Sequence, residues 1–313
     1  MERRPNELVL FPGQERDLHR WVNPVLPDGL RRAHGGEKRN WEQFPRGCYA
    51  SAEAIDFPLI DMSEWAARLA DKVAAKSLTS DARLRGNAGQ PIPSRDQNGK
   101  GYCWAHSSTS AALLIKAMQG GAYVDLSAYA IACMIKNFQD QGGWGAQSLD
   151  FFMQKGCPSS QFWPQQSMSR SNDNANTWAD AAKNKIAEGW VDLAVPQYNR
   201  KFSWQQVGTL CLCNVPIVTD FNWWSHSVCG MDLVAQSSDD FRDEDTGKMM
   251  SQYDRAELDR IMEDVGYGDV AFGLRIWNSW GDSWSDRGMG VLTGSKARPD
   301  GAVSPRSMIP SKV

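Results

Sequence analysis

Nowhere does the chain approach the ~18 consecutive apolar residues that a membrane-spanning helix requires. The apolar run nearest the N-terminus, Leu8-Val9-Leu10-Phe11, is too short for the ~7–15-residue core of a signal peptide. Neither sign of charge dominates: the net charge is −3 over 313 residues, which leaves no electrostatic footprint for nucleic acid. Internal repeats and low-complexity tracts are also lacking. Histidine is scarce, with four in all, so few side chains can serve as a base near neutral pH. Seven cysteines are an odd number, so at least one thiol stays outside any intrachain disulfide. With no export signal, the expectation is a cytoplasmic, non-secreted chain in a reducing compartment, its thiols mostly free. What is present is globular: 42% hydrophobic and 23% charged residues, enough for two domains or one elaborated domain.

Residues 1–46 are polar and weakly patterned, and their nine basic and seven acidic side chains nearly cancel. Ser63 is positioned to cap a helix carrying Trp65, Leu69 and Val73 on one face. The stretch Gly86 to Pro93 breaks the pattern and divides an N-terminal extension, 1–89, from a domain spanning 90–313. A helix starting near Cys103 carries Trp104, Ser108, Ala111, Ile115 and Met118 at alternating spacings of four and three. Helices are also expected over 147–154, 178–188 and 203–213, then strands over 215–221, 226–235, 271–277 and 288–293. Helices first and strands second predict an α+β fold. Residues 237–269 hold eleven acidic and four basic side chains and read as a surface insertion with one amphipathic helix around Leu258, Ile261, Met262 and Val265. Within it, Asp243-Glu244-Asp245-Thr246-Gly247 lacks the full ligand ladder of a calcium loop, so a solvated acidic face is expected and no metal site.

Chemistry concentrates around Gln97-Asn98-Gly99-Lys100-Gly101-Tyr102-Cys103-Trp104. A cysteine where a glycine-rich loop enters a helix gains from the helix dipole, which favours a thiolate. Free backbone N–H groups at the same place can hold an oxyanion. Taken alone, the site reads more readily as an inert buried thiol, the fate of most cysteines. A base is needed, and His226, opening the strand Ser225 to Met231, is the best placed of the four histidines. Asn278, in Trp277-Asn278-Ser279-Trp280-Gly281, offers an amide oxygen that can fix the tautomer and plane of an imidazole.

These three segments resemble the papain family of cysteine peptidases over residues 90–300, in the family's order of cysteine, histidine, asparagine. The resemblance implies a papain-like α+β fold, with a helical and an antiparallel β domain meeting at a cleft. It also implies roles. Cys103 is the nucleophile, His226 the base and then the acid, and Asn278 the group that orients His226, with Trp280 screening that bond. Gln97 and the Cys103 N–H form the oxyanion hole. Gly142 and Gly143 line the lane in which substrate backbone lies extended. Asp220 falls at the wall of the second specificity pocket, implying a taste for Lys or Arg two residues before the scissile bond; an exposed strand-end aspartate is the plainer alternative. No cofactor is implied.

The chain also departs from the family pattern. A disulfide expected beside the nucleophile is missing at both ends, and Lys100 and Asp140 stand there instead, predicting an ion pair. Cys133 has no evident partner. The acidic insertion is expected to project beside the cleft. Residues 1–89 match nothing in the motifs and read as a propeptide, a wrapping arm or a docking segment. Three functions follow: a peptidase acting on polypeptides, a transglutaminase-like acyltransferase using the same thioester, or a structural component of an assembly such as a virus particle. In the last case the partner would dock through 1–89 or 237–269, and fourteen tryptophans would suit it.

Overall fold

The computed structural model describes residues 4, 6–10, 33–37, 57–86, 89–185, 189–193, 200–237, 256, 266–267 and 270–305. Seven α-helices appear among them: α1 Met62–Ala74, α2 Thr79–Arg85, α3 Cys103–Met118, α4 Ala128–Ile135, α5 Gly145–Lys155, α6 Ala175–Ala182 and α7 Arg200–Leu212. Eight strands form one sheet: β1 Leu8–Leu10, β2 Trp190–Asp192, β3 Ile217–Phe221, β4 His226–Ser237, β5 Gly266–Tyr267, β6 Val270–Trp277, β7 Met289–Leu292 and β8 Gly301–Pro305. Their order is β1-β7-β6-β4-β3-β8-β2, with β5 pairing β6 beside this path. Every pairing is antiparallel except β1 with β7. This is the expected α+β architecture.

Two apolar cores lie on the two sides. One joins α1 and α7 to the sheet through Trp65, Trp204, Phe272 and Trp284. The other surrounds α3 with α4 and α5. Helix α3 is buried from Cys103 to Ile115, and three of its hydroxyls are satisfied within the helix. Ser107, Ser108 and Thr109 donate to the carbonyls of Trp104, Ala105 and Ala105 at 2.8–3.0 Å. Small side chains with internal hydrogen-bond partners let this helix run through the interior at little polar cost.

Several boundaries shift from the sequence reading. Helix α1 is capped by Asp61, not Ser63: the Asp61 carboxylate accepts from both the N–H and the hydroxyl of Ser63. A carboxylate at that position also complements the helix dipole, so it outcompetes the hydroxyl next to it. The helix expected at 178–188 is Ala175–Ala182, started by Asn174 accepting from Asn176 and Thr177. Strands β1, β2, β5 and β8 and helices α2 and α4 are not foreseen from the sequence. Helix α4, Ala-Tyr-Ala-Ile-Ala-Cys-Met-Ile, is apolar nearly all round, so it carries no amphipathic period.

The acidic insertion joins β4 to β5 and β6, and Ser237 pairs with Val270 at its root. That root is eleven strand residues from His226, about 36 Å at ~3.3 Å per residue, so the insertion springs from the far end of the hairpin and not from beside the cleft. Its expected helix and the Asp243–Gly247 loop lie outside the described residues. The expected ion pair is present: Lys100 Nζ lies 3.4 Å from Asp140, whose other oxygen accepts from the Gly101 N–H at 2.8 Å. The six cysteines among the described residues are all unbonded. Cys133 is buried against the Tyr102 hydroxyl, and burial pushes its thiol up to about 11.

Candidate active site

Cys103 is the first residue of α3 and His226 the first of β4, so each stands where an element begins and points across the same junction. The two elements are stitched just behind them by Ser107 Oγ and Ser227 Oγ at 2.9 Å. The N–H of Ser227, next to His226, hydrogen-bonds the Cys103 sulfur, as do those of Gly35 and Trp104. Three amides and a helix N-terminus all favour a thiolate. Burial nevertheless wins: Cys103 is 0% exposed, and its thiol is pushed up to about 12.

His226 Nε2 lies 2.8 Å from Asn278 Oδ1. The same oxygen accepts the Ser279 N–H at 2.7 Å, which fixes it as an acceptor and therefore places the imidazole proton on Nε2. Nδ1 is left as the basic nitrogen; it is buried with no hydrogen-bond partner. Trp280 packs on the imidazole with its ring 4.7 Å away, and Trp224, in edge contact with Trp280, lies at the same distance. Burial in this enclosure, with His34 adding repulsion, holds His226 neutral, its pKa lowered to about 3.

Gln97 is fully buried and held at both ends of its amide. Ser279 Oγ donates to Gln97 Oε1 at 2.7 Å, while Nε2 donates to the carbonyls of Ala33 and Lys100 at 2.8 and 2.6 Å. Sequence reasoning gave Ser279 no role; its place between Asn278 and Trp280 was the only signal. Two further supports were missed. Ser94 Oγ donates to the Asn278 carbonyl at 2.6 Å, and Asp282 accepts from the Ser94 N–H at 2.8 Å. They tie the segment before Gln97 to the loop after Asn278. Arg83, fully buried in α2, braces that loop by donating to the Arg287 carbonyl at 2.6 Å while lying 4.4 Å over the Trp277 ring.

Gly143 exchanges backbone hydrogen bonds with residues of the chain itself: its N–H reaches the Gly35 carbonyl at 2.8 Å and its carbonyl takes the Glu37 N–H at 3.1 Å. A β-carbon on Gly143 would stand 2.7 Å from the Trp104 ring, and one on Gly142 2.7 Å from the Gly35 carbonyl oxygen. Asp220 pairs with Ser227 across β3 and β4, and both its carboxylate oxygens lie 3.3 Å from the Gly145 N–H, so it caps α5. Its charge also opposes ionisation of Cys103. Among the described residues no group of histidines, cysteines and carboxylates could hold a metal.

A helical lobe and a β lobe meeting over a cysteine, a histidine and an asparagine define the papain-like class of fold. Residues 78–298 match the family described as papain family cysteine protease, and the chain belongs to that family. No curated protein sequence matches it. Among solved structures it is similar to the digestive procathepsin L2 proteinase of Tenebrio molitor larval midgut, at 16% identity over 96% of this chain and 84% of that one, with a TM-score of 0.49. It is also similar to xylellain, a cysteine protease from Xylella fastidiosa, at 13% identity over 88% and 98%, with a TM-score of 0.47.

Proposed function

We propose that this papain-family chain is a cysteine peptidase that cleaves polypeptides through Cys103, His226 and Asn278. The observation that carries the reading is the 2.8 Å bond from His226 Nε2 to Asn278 Oδ1, because it leaves Nδ1 as the free base in a residue whose neighbour, Ser227, hydrogen-bonds the Cys103 sulfur. The steps follow from the geometry. Nδ1 takes the thiol proton, and the sulfur attacks the peptide carbonyl carbon to give a tetrahedral oxyanion. The Gln97 amide and the Cys103 N–H receive that charge. Nδ1 then protonates the leaving amine, and water, deprotonated by the same nitrogen, opens the thioester. Asp220 beside the lane supports a preference for Lys or Arg two residues before the scissile bond. The acyltransferase and assembly readings gain no supporting observation.

The test is hydrolysis of a mixed peptide library, with alkylation of Cys103 followed across pH. Cys103→Ser should abolish turnover. His226→Ala should slow alkylation below pH 7 and lower kcat/KM by at least ~10³, and Gln97→Ala should lower kcat by ~10²–10³. Alkylation indifferent to His226, with no hydrolysis by the wild-type chain, would remove the proposal.

A further inference from the structure

The turn between Gln97 and α3 carries chemistry of its own. Its tip is Asn98-Gly99, and Asn98 is the only asparagine in the sequence that is followed by glycine. The Lys100 N–H closes the turn on the Gln97 carbonyl at 3.0 Å. Both central residues have positive φ, 46° at Asn98 and 73° at Gly99. That is the pattern of a type I′ turn, which asparagine and glycine tolerate better than other residues.

An asparagine amide and the next main-chain nitrogen react with each other when three conditions are met. The side chain must be free to swing, the N–H open to base, and the space between them clear. All three hold here. Asn98 and Gly99 are both exposed. One exposed hydrogen bond holds the Asn98 side chain, from Nδ2 to Gln166 Oε1 at 3.0 Å, and water replaces such a bond at little cost. The Gly99 N–H makes no hydrogen bond among the described residues. A β-carbon on Gly99 would meet nothing within 4 Å, so its nitrogen is open to approach. Elsewhere the conditions fail. Asn278 is buried with Oδ1 accepting from His226 and Ser279, and Asn174 Oδ1 is fixed by the N–H groups of Asn176 and Thr177.

We propose that Asn98 is a site of spontaneous deamidation, and that the isoaspartate formed there opens the turn that holds Gln97. The Gly99 nitrogen gives its proton to solvent hydroxide and attacks Cγ of Asn98. The new N–C bond closes a five-membered succinimide, the Cγ–Nδ2 bond breaks, and ammonia leaves with a proton from water. Water then opens the imide at one of two carbonyls. Attack at Cγ restores the main chain with aspartate at 98. Attack at the main-chain carbonyl leaves the chain running through Cβ and Cγ, as isoaspartate. The sum is amide and water giving carboxylate and ammonium, with no oxidant or reductant needed.

Isoaspartate inserts one extra carbon into the main chain between Gln97 and Lys100. The turn is anchored on both sides: the Gln97 N–H donates to the Ser279 carbonyl at 3.0 Å, and the Gly101 N–H to Asp140 at 2.8 Å. The bond that gives is therefore the one closing the turn, from Lys100 to the Gln97 carbonyl. The 2.6 Å contact from Gln97 Nε2 to the Lys100 carbonyl goes with it. The new carboxylate also stands beside Asp96, whose Oδ1 accepts the Asn98 N–H at 2.8 Å, and the two charges repel. Loss of turnover through a loosened Gln97 rests on the peptidase reading; the modification and the opening of the turn do not.

The experiment ages the full-length chain in mildly alkaline buffer and follows its peptides by mass spectrometry, with isoaspartyl methyltransferase as the probe for the isomer. The Asn98 peptide should convert from amide to acid at least tenfold faster than the peptides carrying Asn172 and Asn174 in the same digest. Isoaspartate should be the larger product, and conversion should quicken as the pH rises. Amide exchange at Lys100 should speed up in the aged chain and not in aged Asn98→Gly, which keeps the positive φ without the reacting amide. Turnover of the wild type should fall in step with isoaspartate, while Asn98→Gly holds its starting value. An Asn98 peptide that keeps its amide as long as Asn172 and Asn174 do would overturn the proposal. So would conversion that leaves exchange at Lys100 unchanged. Conversion with faster exchange, in a chain that hydrolyses no peptide at any age, would leave the site standing and defeat the peptidase reading instead.

Discussion

Ser279 holds Gln97 by one end of its amide, so that only the N–H end can face the reaction. Ser279→Ala removes a single neutral hydrogen bond, worth about 1.4 kcal/mol at the upper end of the usual range. Gln97 would still bind substrate as before but lose alignment with the charge of the transition state. The expected outcome is a roughly tenfold fall in kcat with KM nearly unchanged, and partial recovery in Ser279→Thr. A change confined to KM would show that Ser279 only shapes the lane. A second residue-scale prediction concerns His106, buried in α3 with both ring nitrogens unpartnered and held neutral, its pKa lowered well below the ordinary value chiefly by burial. An unfolded chain protonates this ring below about 6.5 and the folded chain does not, so acidification favours unfolding throughout the window beneath that value. The penalty grows as the pH falls further below that value. His106→Phe should therefore lose less stability than wild type between pH 7 and 4.5, measured by urea unfolding; an equal loss in the two proteins would show that His106 does not contribute to the acid sensitivity. The Lys100–Asp140 pair was legible in sequence, because opposite charges stand together where the family bridge is missing. The supports from Ser94, Ser279 and Asp282 were not, because short polar side chains near a turn look the same whether or not they meet a distant loop.

At the scale of elements, legibility followed amphipathicity. Helix α1 was read from Trp65, Leu69 and Val73, because one face is polar and the other enters the core. Helix α3 was read from its cysteine and its spacing. Helix α4 and strands β2 and β8 are buried on all sides and carry no period to detect, and β1 is only three residues long. What the sequence could not reveal about α1 is how deeply it is embedded. Trp65 is fully buried, edge-on to Phe272 at 5.3 Å and to Trp204 at 6.2 Å, and its N–H donates to the Ile60 carbonyl at 3.2 Å. Trp65→Ala should cost about 3–5 kcal/mol in urea unfolding, as large aromatic truncations in well-packed cores do. A loss below about 1 kcal/mol would mean that α1 is an appendage to the fold.

Over the whole molecule, the tryptophans change meaning. Fourteen of them suggested a surface for assembly, but Trp65, Trp104, Trp163, Trp204, Trp224, Trp277, Trp280 and Trp284 are all fully buried. They fill the two cores and the junction over His226, so their number is accounted for largely by packing and the assembly reading loses its main support. The same cores show why the polar N-terminal region belongs to the fold. Glu7, Arg275 and Asp232 form a buried triad: Arg275 lies 2.6 Å from Glu7 and 3.5 Å from Asp232. Asp232 in turn accepts the Thr79 and Ser80 N–H groups at the start of α2, at 2.8 and 3.2 Å. One carboxylate therefore neutralises Arg275 while the other is partly satisfied by the α2 N-terminus, and this division spreads the negative charge over a cation and a helix dipole. Glu7→Gln keeps the shape but removes the charge of the bidentate arm, leaving Arg275 with its longer contact alone. Breaking one partner of a buried pair costs about 3–5 kcal/mol, and because Asp232 remains, the lower end applies. The expected result is a loss of about 3 kcal/mol in urea unfolding of the full chain, with β1 released from β7 as seen by faster amide exchange at Val9 and Val291. Unchanged stability would mean that Arg275 is neutralised by Asp232 alone, and that the N-terminal strand is held by its backbone pairing and not by charge.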